Sequence, residues 1–554
     1  FDLGRMAALA GTTPADVVRA LDEPRRRHML WADGARYTFV HDKLREVLLD
    51  LLTPQERKEL HRLAARAAAR GVPQDPFELA YHFDAAGEYS QALPFALTAA
   101  DLARQRFALE TSELNYRIAE RGAPGADAGT RFHIAAGLGN VLMLRGRYEE
   151  ARQQLERAQG LARDKPEQAR ILGQLGELAF KRGDFGQANT YLEQSLKLLG
   201  RWVPPRGLLT GASSLWEIAS QASHTLAPRV FLARRPMEQG EKDMLAVQLY
   251  SRLAYGYWYR RGRMAVLWAH LRDLNLAERY PPTPELAQAY SAHSPALTTL
   301  PWFSRAFAYA EKSLALRRQQ GDVWGQGQSL HFYGLAFYAS SRFRDCIEKC
   351  REAVRLLERT GDPWEVNNAT FQIAMSLYRL GRLKEALETS QRLHAAAVAL
   401  GDRYAQRLGL EAWAKAAGGR IPGSLLEGEL TNPDQPDPQS YAGVLQGEAI
   451  RLLRLGNPAE AVEVLERAEK LVDDAHLRQE YVAPIAPWLA TALRHLAEGT
   501  SCLHPSRREA LLDRADEVAK RAHQIARTYR NNLPPRPCGS GACWPPCGAP
   551  PARA

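Results

Sequence analysis

LGNVLMLRGRYEEARQQLERA (138–158) and LGELAFKRGDFGQANTYLEQS (175–195) align without a gap. Each opens on a small residue inside an apolar stretch, Gly139 or Gly176. A second glycine follows, Gly146 or Gly183, then an aromatic two positions on, Tyr148 or Phe185, and an alanine three beyond, Ala151 or Ala188. The frame returns in YGLAFYASSRFRDCIEKCREA (333–353), IAMSLYRLGRLKEALETSQRL (373–393) and EAIRLLRLGNPAEAVEVLERA (448–468), with an earlier copy in LAYHFDAAGEYSQALPFALTA (79–99). Small residues let paired helices approach, glycine supplies the backbone freedom of a tight turn, and alanine fills the crossing. Each copy predicts a helix, a short turn and an antiparallel second helix.

A longer beat runs through the middle of the chain. Gly-Asp stands at 321–322, 361–362 and 401–402, a period of 40, and each pair is followed two residues later by Trp324, Trp364 or Tyr404. Helix pairs that cannot bury an apolar face alone must stack on their neighbours. The pattern resembles the tetratricopeptide repeat, in a form nearer 40 residues than the usual 34. The resemblance spans roughly residues 73–530 and implies an all-α fold, an α-solenoid superhelix of helix pairs over 73–200 and 246–530. It also implies a groove, lined by the first helices, that receives a protein, a peptide or a small inducer. Tyr255, Tyr259, His331, Tyr338 and Asn367 are the candidate partner-binding residues there, since packing alone does not require a hydroxyl or imidazole at those positions.

The same register settles several other residues. Cys346 and Cys350 fall in the slots of Ala151 and Leu155 and read as buried packing, not as a metal or redox pair. The aromatic run AYGYWYRRGRMAVLW (254–268) likewise reads as core. Residues 201–245 (RWVPPRGLLTGASS at their start) read as an irregular insertion between repeats, and GRIPGSLLEGELTNPDQPDPQS (419–440) as a second excursion broken by Pro and Gly.

With 554 residues, 45% hydrophobic and 25% charged, the chain has the composition of several domains or of a repeat array. Net charge is +10, yet the arginines stand singly among Glu and Asp, as on a solvated helix surface, so nucleic acid is not the expected partner. No run of eighteen apolar residues predicts a membrane span. Of six cysteines only Cys346, Cys350 and Cys502 lie in the body, which points to a reducing, cytoplasmic compartment. Without a signal peptide, and with Phe1 at its start, the sequence reads as beginning inside a longer protein. Residues 531–554 break the helical pattern and read as a disordered tail or a frame-shifted continuation of the array; Cys538, Cys543 and Cys547 match no common zinc spacing.

Residues 1–70 do not share the repeat frame. The sequence predicts two short helices, the second opening at Thr13-Pro14 with Asp16 in its first turn. A hairpin about Asp33-Gly34 follows, with Tyr37 and Phe39 facing inward, and then closing helices. That order describes a winged helix. At its joint His41-Asp42 allows a catalytic pair, a metal ligand, a helix cap or a nucleotide sensor.

The string Y-x-F-x-H-D-x-x-R-E at 37–46, followed by R-x-x-L-H-R-x-x-A at 57–65, resembles the winged helix of signal-transduction ATPases with numerous domains (the STAND class). Those proteins commonly carry tetratricopeptide arrays directly afterwards. The resemblance implies that His41 contacts the β-phosphate of ADP and that Asp42 caps a helix beginning near Lys43, with Val40 in place of the family's methionine. It further implies a bacterial-type parent with an ATPase core that binds ADP or ATP, the partner of this winged helix, and an effector such as a kinase or cyclase. The chain itself has no G-x-x-x-x-G-K-[ST], so no cofactor and no catalysis are expected of it. The alternative is a free-standing scaffold without a nucleotide switch. A DNA-binding winged helix, with Arg25, Arg26 and Arg27 at the end of its second helix, is a third possibility.

Overall fold

The computed structural model describes residues 2–528, apart from 35, 71–73, 299–301, 432–436, 476, 478–480 and 500–503. The proposed tail and Cys502 lie outside the described residues. Twenty-seven α-helices, two short 3-10 helices and a single two-stranded hairpin make up the regular structure among the described residues, so the fold is all-α. The chain divides into two compact units: residues 1–142 with 153–161, and 143–152 with 162–554.

In the first unit, helices Leu3–Ala10 and Pro14–Arg26 precede strands Leu30–Asp33 and Arg36–Phe39. Thr13 caps the second helix and Asp16 reaches back to complete a capping box, as the sequence predicts. The strands pair antiparallel, Leu30 opposite Phe39 and Ala32 opposite Tyr37, and Tyr37 is buried. Helices Asp42–Asp50 and Pro54–Ala69 follow. The last of these is no free linker. Its Ala65 and Ala68 pack with Leu79, Ala80 and Phe83 of the first repeat helix, Pro76–Ala85, in one apolar cluster. Arg5 clasps Glu78 through two 2.8 Å hydrogen bonds, which ties the first helix to the same repeat. Helices Tyr89–Gln105, Leu109–Gly122 and Ala128–Leu144 continue the stack.

The second unit is built of consecutive antiparallel pairs. They include Lys165–Lys181 with Phe185–Leu198, Glu241–Arg260 with Arg263–Ala277, Pro284–Thr298 with Phe303–Gln319, and Val323–Ala339 with Phe343–Thr360. Pro363–Arg379 with Leu383–Leu400 and Pro438–Leu455 with Pro458–Asp474 extend the series, while Arg403–Ala416 packs chiefly on Leu383–Leu400 and Pro438–Leu455, with the short helix Gly423–Leu430 between. The turn glycines Gly146, Gly183, Gly262, Gly381 and Gly456 all lie between helices with φ of 73–84°, a region closed to most side chains. At 341 the third copy has Ser341, which adopts φ 64° in the same turn. Ala151, Ala188 and Ala386 are buried at the crossings. The close approach is real: a Cβ on Gly334 would stand 2.4 Å from the Cys350 sulfur. Cys346 and Cys350 are both buried in that seam.

Two expectations need correction. Residues 201–245 are not irregular, because helix Leu208–Leu226 occupies their middle and helix Glu241–Arg260 begins before 246. The long helix escapes a periodicity reading because its buried stripe is polar: Thr210, Ser214, Glu217, Gln221 and His224. Glu217 accepts from Arg272 (2.9 Å) and Asn275 (2.8 Å), and Ser214 Oγ donates to the Met264 carbonyl (3.0 Å), so the middle of the stripe is anchored on the helix beneath. Its apolar residues point outward instead: Leu208 is 94% exposed, Leu226 85% and Trp216 70%. The 419–440 excursion also holds a helix, Gly423–Leu430, while 432–436 lie outside the described residues.

Candidate functional site

The 40-residue beat is a joint. Gly361 and Gly401 end one helix in the left-handed conformation, and the following aspartate caps the next. Asp362 accepts from the Trp364 and Glu365 amides (3.1 and 3.4 Å), Asp402 from Ala405 (3.0 Å), and Asp322 from Gly325 (2.8 Å). The aromatic two residues on therefore always falls in the first turn of a first helix. Trp364 and Tyr404 stack at 6.5 Å between ring centres.

This face is occupied by the chain itself. The turn that joins Lys165–Lys181 to Phe185–Leu198 brings Phe180 to 5.7 Å from Trp364 and 6.2 Å from Tyr255, ring to ring. Phe185 meets Tyr404 edge-on at 6.4 Å. Between them the Lys181 ammonium lies 3.4 Å from both Asp362 oxygens and 5.0 Å from the Trp364 ring. Trp324 Nε1 donates to the same carboxylate at 3.2 Å. Lys181, Asp362 and Glu365 are all buried.

Burial dominates the electrostatics. It pushes the Asp362 carboxyl above its ordinary range although Lys181 pulls the other way, and it raises Asp402 as well. Burial also works to raise Glu365, but hydrogen bonds from His331 (3.2 Å) and Gln328 (2.7 Å) bring it below its usual value. Tyr148, carried on the other turn of this unit, has its phenol pushed up by burial and by the Asp402 and Asp362 carboxylates.

Of the predicted partner-binding residues, the structure gathers four into this neighbourhood and closes them off. His331 holds Glu365, and Asn367 donates to Asp402 at 3.4 Å. Tyr338 stacks on Tyr481 at 5.7 Å, and Gln372 donates to the Tyr481 hydroxyl at 2.6 Å. Tyr255 is half-buried, and burial raises its phenol. The Tyr259 side chain lies outside the described residues. Phe180, Lys181, Phe185 and Tyr481 arrive from distant pairs and cover these residues in this structure. Sequence reasoning missed Asp362, Trp364 and Glu365 as site residues, although the Gly-Asp-x-aromatic beat marked the first two. Nothing local marked Lys181 or Tyr481.

At the other candidate position, helix Asp42–Asp50 begins one residue earlier than expected. His41, in extended conformation, occupies the capping position without a side-chain cap bond, and Asp42 is the first helical residue. Both are exposed. The Asp42 carboxylate thus sits in the first turn, where the helix dipole favours it, and does not cap. Around the joint Trp31, Val40, Val47, Leu48 and Leu51 are exposed, and the helix buries none of its residues.

Comparison with known proteins agrees with the repeat reading. The tetratricopeptide repeat family matches residues 131–200. No curated protein matches the chain. Among solved structures, a Rap protein complexed with Competence and Sporulation Factor is 12% identical, with 74% of this chain and 100% of that one covered and a TM-score of 0.44. A STAND protein with a tetratricopeptide repeat sensor from Pyrococcus horikoshii is 13% identical, covering 82% of this chain and 61% of that one, TM-score 0.39. The APC/C hetero-tetramer Cut9–Hcn1 is 15% identical, covering 86% of this chain and 96% of that one, TM-score 0.32. Among the described residues no helix is long and apolar enough to cross a membrane. The chain has an all-α fold of tetratricopeptide-like helix pairs, and residues 131–200 match the tetratricopeptide repeat family.

Proposed function

We propose that the chain is the sensor and regulatory region of a nucleotide-switched signalling protein, in which the repeats receive a peptide or protein and residues 1–70 form a winged helix that docks on an ATPase core. The observation that carries the receptor half is the first-helix face, where Trp364 and Tyr404 bracket aromatic rings and Asp362 takes an ammonium group. That set of sites suits a basic segment flanked by aromatics, the chemistry that Phe180, Lys181 and Phe185 already present to it. A partner of this kind competes with the resident turn, and binding shifts the protein only as far as it favours the opened arrangement.

A fluorescent peptide Phe-Lys-Arg-Gly-Asp-Phe, the sequence of residues 180–185, tests the face. It should bind saturably to the Phe180→Ala/Lys181→Ala variant and lose that binding when Asp362→Asn is added. An unchanged anisotropy in a variant of intact helicity removes this face from the reading.

Two features support the switch half. His41 is exposed where a strand hands over to a helix N-terminus, a position where an imidazole can donate to a phosphate. The apolar side chains around it have the character of a docking surface. In the full-length parent His41→Ala should loosen ADP retention and raise basal signalling; unchanged retention and output would sink the sensor role. A coding sequence upstream that carries no Walker A motif would leave the free-standing scaffold in its place.

A further inference from the structure

The inverted helix Leu208–Leu226 shelters a cavity of about 510 Å³ on its flank. One wall is the helix itself, with Trp216, Ser220, Ser223 and His224 at successive turns, and the other is Phe231 with Arg234, Arg235 and Arg279. The walls are fixed. The strap after the short helix Pro228–Phe231 pairs with the end of helix Arg263–Ala277, Ala233 N donating to the Glu278 carbonyl (2.9 Å) and Arg235 N to that of Arg279 (2.8 Å). His224 Nδ1 lies 2.8 Å from Glu278, and its ring stacks on Phe231 at 5.7 Å.

The charges around it do not balance. Asp243 accepts from Arg201, Arg235 and the Tyr280 hydroxyl, Glu217 from Arg272 and Asn275, and Glu278 holds His224. All three carboxylates are thereby engaged. Arg234 is exposed and turned back onto the carbonyls of Arg229 and Val230, with no carboxylate contact among the described residues. The Arg279 guanidinium is half-buried and has no hydrogen bond or ion pair with any described residue. Burial, with Arg235 and Arg272 nearby, holds it below its ordinary value although the Glu217 and Asp243 carboxylates pull the other way. A guanidinium with no direct carboxylate contact, at the wall of a cavity of ligand size and beside an exposed indole and a second aromatic ring, has its hydrogen-bonding edge open to an anion.

We infer that this cavity binds a small organic anion with a flat apolar body, Arg279 and Arg234 taking the carboxylate or phosphate and Trp216 and Phe231 covering the body. The site stands apart from the first-helix face and does not depend on the reading of it. A guanidinium matches such an anion with two parallel hydrogen bonds. Lipid headgroups share this chemistry, and Leu208 and Leu226 are exposed nearby in sequence, so the test must separate a dissolved ligand from a membrane surface.

Calorimetric titration of the full chain with phenyl phosphate, inorganic phosphate and benzyl alcohol provides it, with phosphatidylglycerol vesicles as the lipid arm. Phenyl phosphate should bind saturably, inorganic phosphate about tenfold more weakly, and benzyl alcohol not measurably. Arg279→Gln should weaken phenyl phosphate by about tenfold or more, while the ligand-free variant melts no lower than the wild type. Trp216→Ala should weaken phenyl phosphate and leave inorganic phosphate unchanged. The inference is overturned if Arg279→Gln binds phenyl phosphate like the wild type, if that variant melts lower when ligand-free, if no soluble probe binds, or if vesicles bind where phenyl phosphate does not.

Discussion

Helices Val323–Ala339 and Leu208–Leu226 are close in length and opposite in logic. The first buries Leu330, Phe332, Ala336, Phe337 and Tyr338 and leaves little of itself to solvent. The second buries a hydroxyl, amide, carboxylate and imidazole stripe and turns its leucines outward. Both are stably seated. A helix can enter this array on any stripe whose groups find partners, apolar against apolar in the regular pairs, and Glu217 against Arg272 and Asn275 under the inserted one. Hydrophobic periodicity is thus a reliable guide only where the neighbour offers an apolar surface.

The largest effect separates the two kinds of surface directly. Ala386→Glu places an unpaired carboxylate at a sealed crossing and should cost about 3–5 kcal/mol, whereas Leu215→Glu on the outward face of the inserted helix should stay within about 0.5 kcal/mol. Chemical denaturation of both variants checks this, and a heavy loss from Leu215→Glu would break the contrast.

Next in size is a pH effect beneath the inserted helix. His270 Nε2 meets His293 Nδ1 at 2.6 Å in the interior, and burial lowers His270 to about 4 from an ordinary 6.5. Between those values the unfolded chain binds the proton and the folded chain does not, so stability is full above pH 6.5 and falls toward pH 4. The loss from His270 alone is on the order of 3 kcal/mol. Asp273, raised well above its ordinary value by burial, acts in the opposite sense in its own range, so the comparison is made with a variant. His270→Asn should flatten the acid-side slope of the wild type, and an unchanged slope would show that the imidazole is hydrated.

Smaller still is the helix approach in the regular pairs. Gly334→Ala should cost about 1–3 kcal/mol because its Cβ meets the Cys350 sulfur, and Gly334→Ala/Cys350→Ala should recover most of that loss. Thermal melting of the double variant tests the pairing. Smallest is the turn at 341, where Ser341→Gly should raise stability by about 0.5–1 kcal/mol, since glycine takes φ 64° without strain.

What the sequence disclosed follows from the range of each interaction. Turn glycines, crossing alanines and the Cys346–Cys350 seam are set within one helix pair, and their spacing shows directly in the text. The same holds for Thr13 and Asp16, whose capping box closes within four residues. The inserted helix was hidden because its pattern is inverted and its composition, rich in Ser and flanked by Pro, is that of a loop. The occupied face was hidden for another reason. Trp364 and Asp362 announce themselves by repetition, but Lys181 belongs to the ordinary polar run that precedes a turn glycine, and only the curvature of many stacked pairs brings it to Asp362.

That bond, between residues 181 positions apart, changes how the unit should come apart and come together. In a simple solenoid each pair touches its neighbours alone, so ends fray and folding spreads from any start. Here the pair at 165–198 cannot melt by itself without exposing Asp362 and the rings beside it, and the pairs at 323–416 lose cover when it leaves. Denaturation of the intervening stretch is thereby drawn into one cooperative step. The reverse path must close a long loop before the contact rewards it, which makes this a slow step for a protein otherwise assembled from local helix pairs.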